Sequence, residues 1–136
     1  MDKKVFKLIM NERSMSGKYT LDSNKFSIDY SNSIGKTIVP KIGKLFCFVD
    51  YESLLEFLRP YAYKGDFKIL YGTAFNVCNI KYVANYSSDI PIFWKQRAQK
   101  KKITIYKINT PTGTIFCDSF KVEKIYTVNL RLLEKE

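Results

Sequence analysis

The sequence has no histidine and only three cysteines in 136 residues. Without histidine, the chain alone cannot supply a Ser-His-Asp triad, a Cys-His dyad or a histidine-ligated zinc ion. The cysteines, Cys47, Cys78 and Cys117, each lie in an apolar run and form no C-x-x-C pair. This pattern predicts buried free thiols in a reducing compartment, and it argues against a disulfide scaffold and a structural zinc site.

Long hydrophobic runs are also absent. The longest stretch without a charged residue is Ile69–Ile80, well short of the roughly 20 apolar residues of a membrane-spanning helix. The segment before Asn11 carries Lys7 in its middle and does not have the hydrophobic region of a signal peptide. We therefore expect no membrane partner and a cytoplasmic location, which would be the host cytoplasm if the protein is viral.

Acidic residues are few compared with basic ones. The 13 Asp and Glu residues against 23 Lys and Arg residues give a net charge of +10, and no histidine changes this value near neutral pH. The hydrophobic fraction of 46% excludes a chain that is disordered throughout. The length suits one domain spanning residues 1–136, and its charge favours phosphate-bearing or acidic partners.

Hydrophobic patterning predicts mainly β-strands. We expect strands at Val5–Met10, Lys18–Asp22, Phe26–Tyr30, Thr37–Val39, Lys44–Val49, Phe67–Phe75, Lys102–Asn109, Thr114–Asp118 and Phe120–Leu132, the last with a bend near Lys124 and Ile125. The turn sequence Thr110–Gly113 predicts that the strands on either side of it form a hairpin. Residues 76–88 fit one strand, a hairpin or a loop equally well.

Two segments predict helices. Asp50 is a favourable N-cap for a helix over residues 51–59, which Pro60 ends; the apolar stripe of that helix consists of Tyr51, Leu54, Leu55 and Leu58. Asp89 is placed to cap a second helix over residues 90–101, with Pro91 in its first turn and Phe93, Trp94 and Ala98 facing inward. The resulting fold class is α+β: a mostly antiparallel, curved sheet with the first helix across one face, supplying the centre of the core.

The densest charge feature is a basic cluster directly after Phe93 and Trp94. Its members are Lys95, Arg97, Lys100, Lys101 and Lys102, with no acidic residue among them. Such a cluster can neutralise several phosphates while Trp94, Tyr19 or Tyr106 stacks on a base. The alternative interpretation is a solvated helix terminus, where the helix dipole stabilises each cation by about 0.3–1 kcal/mol, with Trp94 as a core anchor.

A second group of candidate ligand-binding residues lies near the N-terminus. Arg13 is suited to bidentate phosphate contacts, and Lys18 with Tyr19 would add a cation and a ring. Ser16-Gly17-Lys18 lacks the upstream glycine of a P-loop and fits an ordinary turn.

Histidine-free enzyme chemistry has two weaker candidates. Asp50 with Asp66 and Lys68 resembles the carboxylate and lysine set of metal-dependent nucleases. Arg13 and Glu123 are of the residue types used by ADP-ribosyltransferases, but their spacing adds no support. We assign no catalytic residue, metal ion or cofactor from the sequence.

The order of features resembles a loose group of small, uncharacterised accessory proteins of phages and prokaryotes. The resembling segments are Val5–Ile9, Gly43–Phe48 with Glu52, Leu54, Leu55 and Phe57 after it, and Pro111–Ser119. The resemblance implies a compact α+β accessory protein and carries over no catalytic residue.

The leading expectation is a non-enzymatic viral or prokaryotic protein that binds a nucleic acid or a signalling nucleotide, with an anti-defence role as one version. The alternative is a protein-interaction module or inhibitor of an acidic partner, and the third candidate is a metal-dependent nuclease. The sequence is compatible with a homodimer but does not determine the oligomeric state.

Overall fold

A computed structural model describes residues 2–10, 13–16, 19–20, 28–61, 67–86 and 89–127. The described strands are β1 (Lys3–Met10), β2 (Arg13–Ser16), β3 (Tyr19–Thr20), β4 (Thr37–Ile38), β5 (Leu45–Phe48), β6 (Phe67–Phe75), β7 (Tyr82–Ala84), β8 (Lys107–Asn109), β9 (Thr114–Cys117) and β10 (Ser119–Thr127). The described α-helices are α1 (Tyr51–Leu58) and α2 (Ile90–Ala98). Lys18, Asp66 and the predicted strand beyond residue 127 lie outside the described residues.

The main sheet is antiparallel and curls into a half-barrel, which confirms the predicted α+β class and the curved sheet. Its order is β3-β2-β1-β6-β10-β4, and β5 pairs with β1 and continues to β9. β7 and β8 form a separate two-stranded ribbon. A flat sheet would separate β9 from β10 by four strand spacings, about 19 Å, yet Cys117 and Phe120 share one core. The sheet must therefore wrap around that core.

The curled sheet has a hydrophobic core on each face. The inner core is enclosed by the strands, and its members include Val5, Ile9, Tyr30, Cys47, Leu70, Cys117 and Phe120. The helix-side core packs Leu54 and Leu58 of α1, with Phe93 of α2, against sheet residues such as Phe48. The helix thus supplies the centre of only one of the two cores, because the inner core is built almost entirely from strands.

A bulge in β10 bends the sheet close to the predicted position. The register between β10 and β6 shifts between Val122 and Lys124. Gly72 on β6 lies opposite this point, and a Cβ atom there would be 1.9 Å from the backbone oxygen of Lys121. Only glycine permits so close an approach of the two strands.

The unit from β5 to α1 matches its prediction closely. All four residues of β5 are buried, as expected for a strand covered on both faces. The Asp50 side chain accepts a hydrogen bond from the Ser53 amide at 2.7 Å, which caps α1. Two details differ: a 3₁₀ turn over Arg59–Tyr61 continues past the predicted stop, and Tyr51 is exposed beside Phe6 rather than buried.

Helix α2 begins at the predicted residue but ends three residues early. Its last turn closes with hydrogen bonds from the amides of Lys100 to Arg97 and of Lys101 to Gln96, while Lys100 takes a left-handed φ of 55°. This is the Schellman arrangement, which terminates a helix. Asp89 makes no capping hydrogen bond and Ala98 is exposed, so both of these predictions were wrong.

The predicted hairpin around Thr110–Gly113 does not form. The turn is present, but β8 pairs with β7 and β9 pairs with β5. The Gly113 carbonyl accepts a hydrogen bond from Val49 at 2.8 Å, which starts the pairing of β9 with β5. The apolar β9 is buried there, whereas β8 has exposed residues at both ends and stays outside the main sheet.

The structure distinguishes the alternatives left open for residues 76–88 over the part that it describes. Residues 76–86 form neither one strand nor a hairpin with β6: Cys78 makes an isolated bridge to Phe116, and β7 turns away to join β8. Ile28–Tyr30 belongs to none of the described strands, and residues 26–27 are not described. Asp29 makes a single β-bridge, and its carboxylate accepts hydrogen bonds from the Ser31 amide and hydroxyl at 2.9 and 2.7 Å, which form a local turn.

The cysteines are free, as predicted; Cys47 and Cys117 are fully buried and Cys78 is half-buried. Among the described residues, no helix is long and apolar enough to cross a membrane.

Candidate functional site

Trp94 lies at the junction between α2 and the loop before β5. Its ring makes edge contacts with Phe93 at 5.0 Å and Phe116 at 6.0 Å between ring centroids, so part of the indole anchors the helix-side core. Another part lies directly against the backbone of Gly43, where a Cβ atom would come within 2.1 Å of the indole. The side chain is only partly buried, because the rest of the ring borders an open groove.

The groove beside Trp94 has a volume of about 450 Å³. Its lining residues are Ile42, Gly43, Lys44, Trp94, Lys95, Arg97 and Ala98. The lining therefore combines an indole with three cations, while small and aliphatic residues complete the walls. Lys44 forms an ion pair with Asp118, which places one carboxylate near the groove.

The three remaining cations of the basic cluster follow the groove along the chain. Lys100, Lys101 and Lys102 are exposed, as are Lys95 and Arg97. None of these five cations forms an ion pair with a described residue. Lys100 occupies the left-handed position where glycine or asparagine is preferred, so a cation is present there at some cost in backbone energy. The cluster has positive charge that the described part of the chain does not neutralise.

The structure brings only part of the predicted site together. Trp94, Lys95 and Arg97 line one groove, whereas Tyr106 lies beyond it, against Tyr86 at the end of the β7–β8 ribbon. Arg13 and Tyr19 belong to β2 and β3, which form one end of the main sheet. Lys18 is outside the described residues.

The other wall of the groove was not predicted from the sequence. Ile42, Gly43 and Lys44 come from the loop before β5, about 50 residues away from α2 in the chain. Gly43 has a φ of 62°, which glycine adopts readily. The glycine itself was visible in the sequence, but its contact with Trp94 depends on tertiary packing and has no local signal.

Two of the residues considered for enzyme chemistry, Asp50 and Glu123, have structural roles. Asp50 caps α1, and this hydrogen bond lowers the pKa of its carboxyl group. Glu123 pairs with Lys4 and accepts a hydrogen bond from Thr73 at 3.2 Å. β2, which carries Arg13, and β10, which carries Glu123, are three strand positions apart in the sheet. Within the described ranges, no group of three or more acidic or cysteine side chains is placed to hold a metal ion.

The burial of Lys7 was likewise not predicted from the sequence. Lys7 is 1% exposed, and its Nζ atom donates a hydrogen bond to the Phe46 carbonyl at 2.8 Å. Its amine also lies 5.8 Å from the centre of the Tyr30 ring. Burial lowers the pKa of Lys7 and raises the pKa of Tyr30. The spacing of Val5, Lys7 and Ile9 could have indicated that Lys7 is buried, because every second residue of β1 lies on the same face as its apolar neighbours.

The Lys7 amine supplies a hydrogen bond at the point where the pairing between β1 and β5 is interrupted. β5 pairs with β1 only at Phe6 and Phe48, because β2 takes over the same edge of β1 at Ile9. The Phe46 carbonyl is therefore left without a β1 backbone donor, and Lys7 supplies the bond. This role is structural and separate from the groove.

No protein-family model matches the chain, and neither the curated proteins nor the solved structures contain a significant match.

Proposed function

We propose that the groove beside Trp94 binds a phosphate-bearing ligand, either a nucleic acid or a nucleotide. In this proposal, the indole stacks on a base while Lys95 and Arg97 contact phosphate oxygens. The supporting observation is the partly exposed Trp94 in a groove lined by three cations, two of which have no ion-pair partner among the described residues. Base stacking and cation contacts are the two ingredients of sequence-tolerant nucleotide binding.

For the biological setting, we propose that this chain is a non-enzymatic accessory protein of a virus or prokaryote and that it acts in the cytoplasm. Sequestration of a nucleotide from a defence system is one form that this function would take. The net charge of +10 favours an anionic ligand of this kind.

The test uses Trp94 as a reporter, because it is the only tryptophan in the chain. Its fluorescence is measured during titration with adenosine 5′-monophosphate, adenosine 5′-triphosphate, single-stranded oligothymidylate and inorganic pyrophosphate at low salt. Ligands with a base should quench the emission by stacking, whereas pyrophosphate should not. If no base-containing ligand changes the emission at low salt, the proposal is wrong.

A charge-matched pair of variants tests the role of the groove cations. Lys95→Gln with Arg97→Gln should weaken oligonucleotide binding by about tenfold or more and reduce the log–log salt slope by about 1.4, since each single-strand phosphate contact contributes about 0.7. The control, Lys36→Gln with Lys121→Gln, removes the same charge from exposed positions that do not line the groove. Equal losses in both variants would indicate nonspecific attraction and contradict a groove site.

A protein-interaction module is the second candidate function. Ile34 and Val39 are 62% and 63% exposed, and they flank β4, which pairs with β10 alone among the described strands. An edge strand bordered by apolar side chains is suited to pairing with another chain. Unchanged Trp94 emission with every nucleotide would favour this candidate over the first.

A further inference from the structure

The surface of the β7–β8 ribbon carries a second group of exposed rings. Tyr106 is 75% exposed and Tyr86 is 53% exposed. Their ring centroids are 6.0 Å apart with the planes at 88°, an edge-to-face pair. The Asn85 amide donates to the Tyr106 carbonyl at 2.8 Å, which fixes the backbone under both rings. In an edge-to-face pair only one ring face is covered by the partner, so ring surface stays available to a base.

A cation also lies on this ribbon. The Nζ atom of Lys107 lies 4.5 Å from the centre of the Tyr82 ring on the same ribbon. Lys107 follows Tyr106 in the chain, but successive residues of a strand place their side chains on opposite faces. The cation contact on the ribbon is therefore with Tyr82, and the tyrosine pair does not include Lys107.

The segment that leads to Tyr106 is hydrogen-bonded to α2, the helix that carries Trp94. The Gln96 side chain, between Lys95 and Arg97 on α2, donates to Thr104 Oγ1 at 2.8 Å and accepts from the Thr104 amide at 3.1 Å. These two bonds hold the segment after α2 against the helix. Because an extended chain advances at most about 3.6 Å per residue, the Cα atom of Tyr106 lies within about 7 Å of that of Thr104.

The intervening chain carries the exposed cations Lys100, Lys101 and Lys102. Along the chain, the order is an indole in a groove, exposed cations and an exposed tyrosine pair. Gln96 is two residues from Trp94, about 200° around the helix, so a path between the two aromatic sites passes around the C-terminal end of α2, where these cations lie. A ligand with one base can occupy one stacking site only, whereas a strand with several bases and phosphates can use all three features. Single-strand-binding proteins combine stacking side chains with a basic track in this way.

We propose that the groove and the Tyr86–Tyr106 pair form one binding path for single-stranded nucleic acid, with a base stacked at each end and phosphates along Lys100–Lys102. This inference rests on the proposed function of the groove and extends it from a single nucleotide to a strand. It identifies the ligand class as an oligonucleotide with unpaired bases.

The test compares ligand lengths and removes the second stacking site. Trp94 quenching is measured with thymidine 5′-monophosphate and with oligothymidylates of about 2 to 12 nucleotides. Affinity should rise with length and then level off. The double variant Tyr86→Ala, Tyr106→Ala should lower the affinity for the longer strands by about 5- to 150-fold, the range measured for loss of one stacked base, and leave mononucleotide binding unchanged.

Two controls define how the result is interpreted. Tyr86→Phe with Tyr106→Phe keeps the rings and should retain full affinity, while Tyr126→Ala removes a 45% exposed tyrosine from β10 and should have no effect. Length-independent affinity, or strand binding insensitive to loss of both tyrosines, would overturn the binding path while the groove proposal stands. Loss of quenching with the mononucleotide and all strands would overturn both.

Discussion

The interior of the curled sheet and the groove beside Trp94 each combine a basic side chain with a closely approached glycine, but they use them in opposite ways. The interior contains the buried amine of Lys7 and Gly72; the groove contains Arg97 and Gly43. Inside, Lys7 donates to a backbone carbonyl and Gly72 accommodates a neighbouring strand. In the groove, Arg97 has no ion-pair partner among the described residues, and Gly43 accommodates a ring that is partly exposed.

The difference separates residues that stabilise the fold from residues available to a ligand. A polar group paired within the chain contributes to stability, and its replacement leaves its partner unsatisfied. A cation without a partner at an exposed position contributes little to stability, since surface charges interact weakly through water. Variants of the interior should therefore change the free energy of unfolding, whereas variants of the groove cations should change binding.

Substitution of the closely approached glycine Gly72 should have the largest effect on the free energy of unfolding. Gly72→Ala would place Cβ within 1.9 Å of the Lys121 backbone oxygen, so β6 and β10 must separate or shift. We expect a loss of about 3 kcal/mol in the free energy of unfolding, at the upper end for an overpacked core. Chemical denaturation followed by far-ultraviolet circular dichroism measures this loss.

Gly43→Ala is the matched variant at the groove. The clash there is with the Trp94 side chain, which can move, and the added cost is the left-handed φ of 62°. The loss of stability should be smaller than for Gly72→Ala, while the Trp94 emission maximum shifts as the ring is displaced. If Gly43→Ala destabilises the protein more than Gly72→Ala, the distinction between the two regions is wrong.

The pH dependence of stability provides the next test, through Lys7→Met. Burial lowers the pKa of Lys7 in the folded state below its unfolded value of about 10.5. The unfolded chain therefore binds more protons between these two values, and the contribution of Lys7 to stability rises as the pH rises through that interval. Methionine does not titrate, so any advantage it has over lysine should shrink with rising pH, by at most about 1.4 kcal/mol per pH unit.

The measurement is the difference in unfolding free energy between wild type and Lys7→Met at several pH values from neutral to about 10.5. Tyr30, whose pKa is raised by burial, and Cys47, whose pKa is lowered by its hydrogen bond with Cys117 and in part by the charge of Lys7, are present in both proteins, so only the part of their titration that depends on Lys7 remains in this difference. A difference that is constant with pH would mean that the pKa of Lys7 is unchanged on folding.

Local sequence patterns predict individual elements of this fold better than they predict the pairing between those elements. The bounds of β6, the Asp50 cap and the start of α2 follow from local patterns, and all three agree with the structure. Pairing between distant segments has no such signal, which is why the hairpin around Thr110–Gly113 was predicted wrongly. Adjacent strands can pair with each other or with strands elsewhere, and the choice depends on which surfaces the whole fold buries.

The candidate site, too, was predictable only where its residues are close together in the sequence. Trp94 and the basic cluster are contiguous in sequence, so the helical half of the groove could be predicted from residue types and spacing. The other half, from Ile42 to Lys44, comes from a distant loop. Tyr106 was grouped with Trp94 as a candidate stacking ring, but the pairing of β8 with β7 places it next to Tyr86 instead.

The smallest expected effect is that of substitutions at Lys100. At this position glycine would favour folding, whereas the lysine charge would favour binding of a phosphate. The left-handed φ of 55° at Lys100 closes α2, and glycine at this position avoids the steric cost of a side chain. Lys100→Gly should raise the free energy of unfolding by about 1 kcal/mol, measured by denaturation, because the left-handed conformation costs an ordinary residue about 1–2 kcal/mol and the greater freedom of unfolded glycine offsets part of that gain.

The same variant should weaken oligonucleotide binding slightly, because one phosphate contact is lost and the salt slope falls by about 0.7. Lys100→Asn separates the two effects: asparagine also tolerates the left-handed conformation but removes the charge. Both variants should lose binding equally, while the gain in stability should be greater for glycine. Unchanged binding in both would exclude Lys100 from the phosphate track, and the strained cation would then have no role in the proposed path.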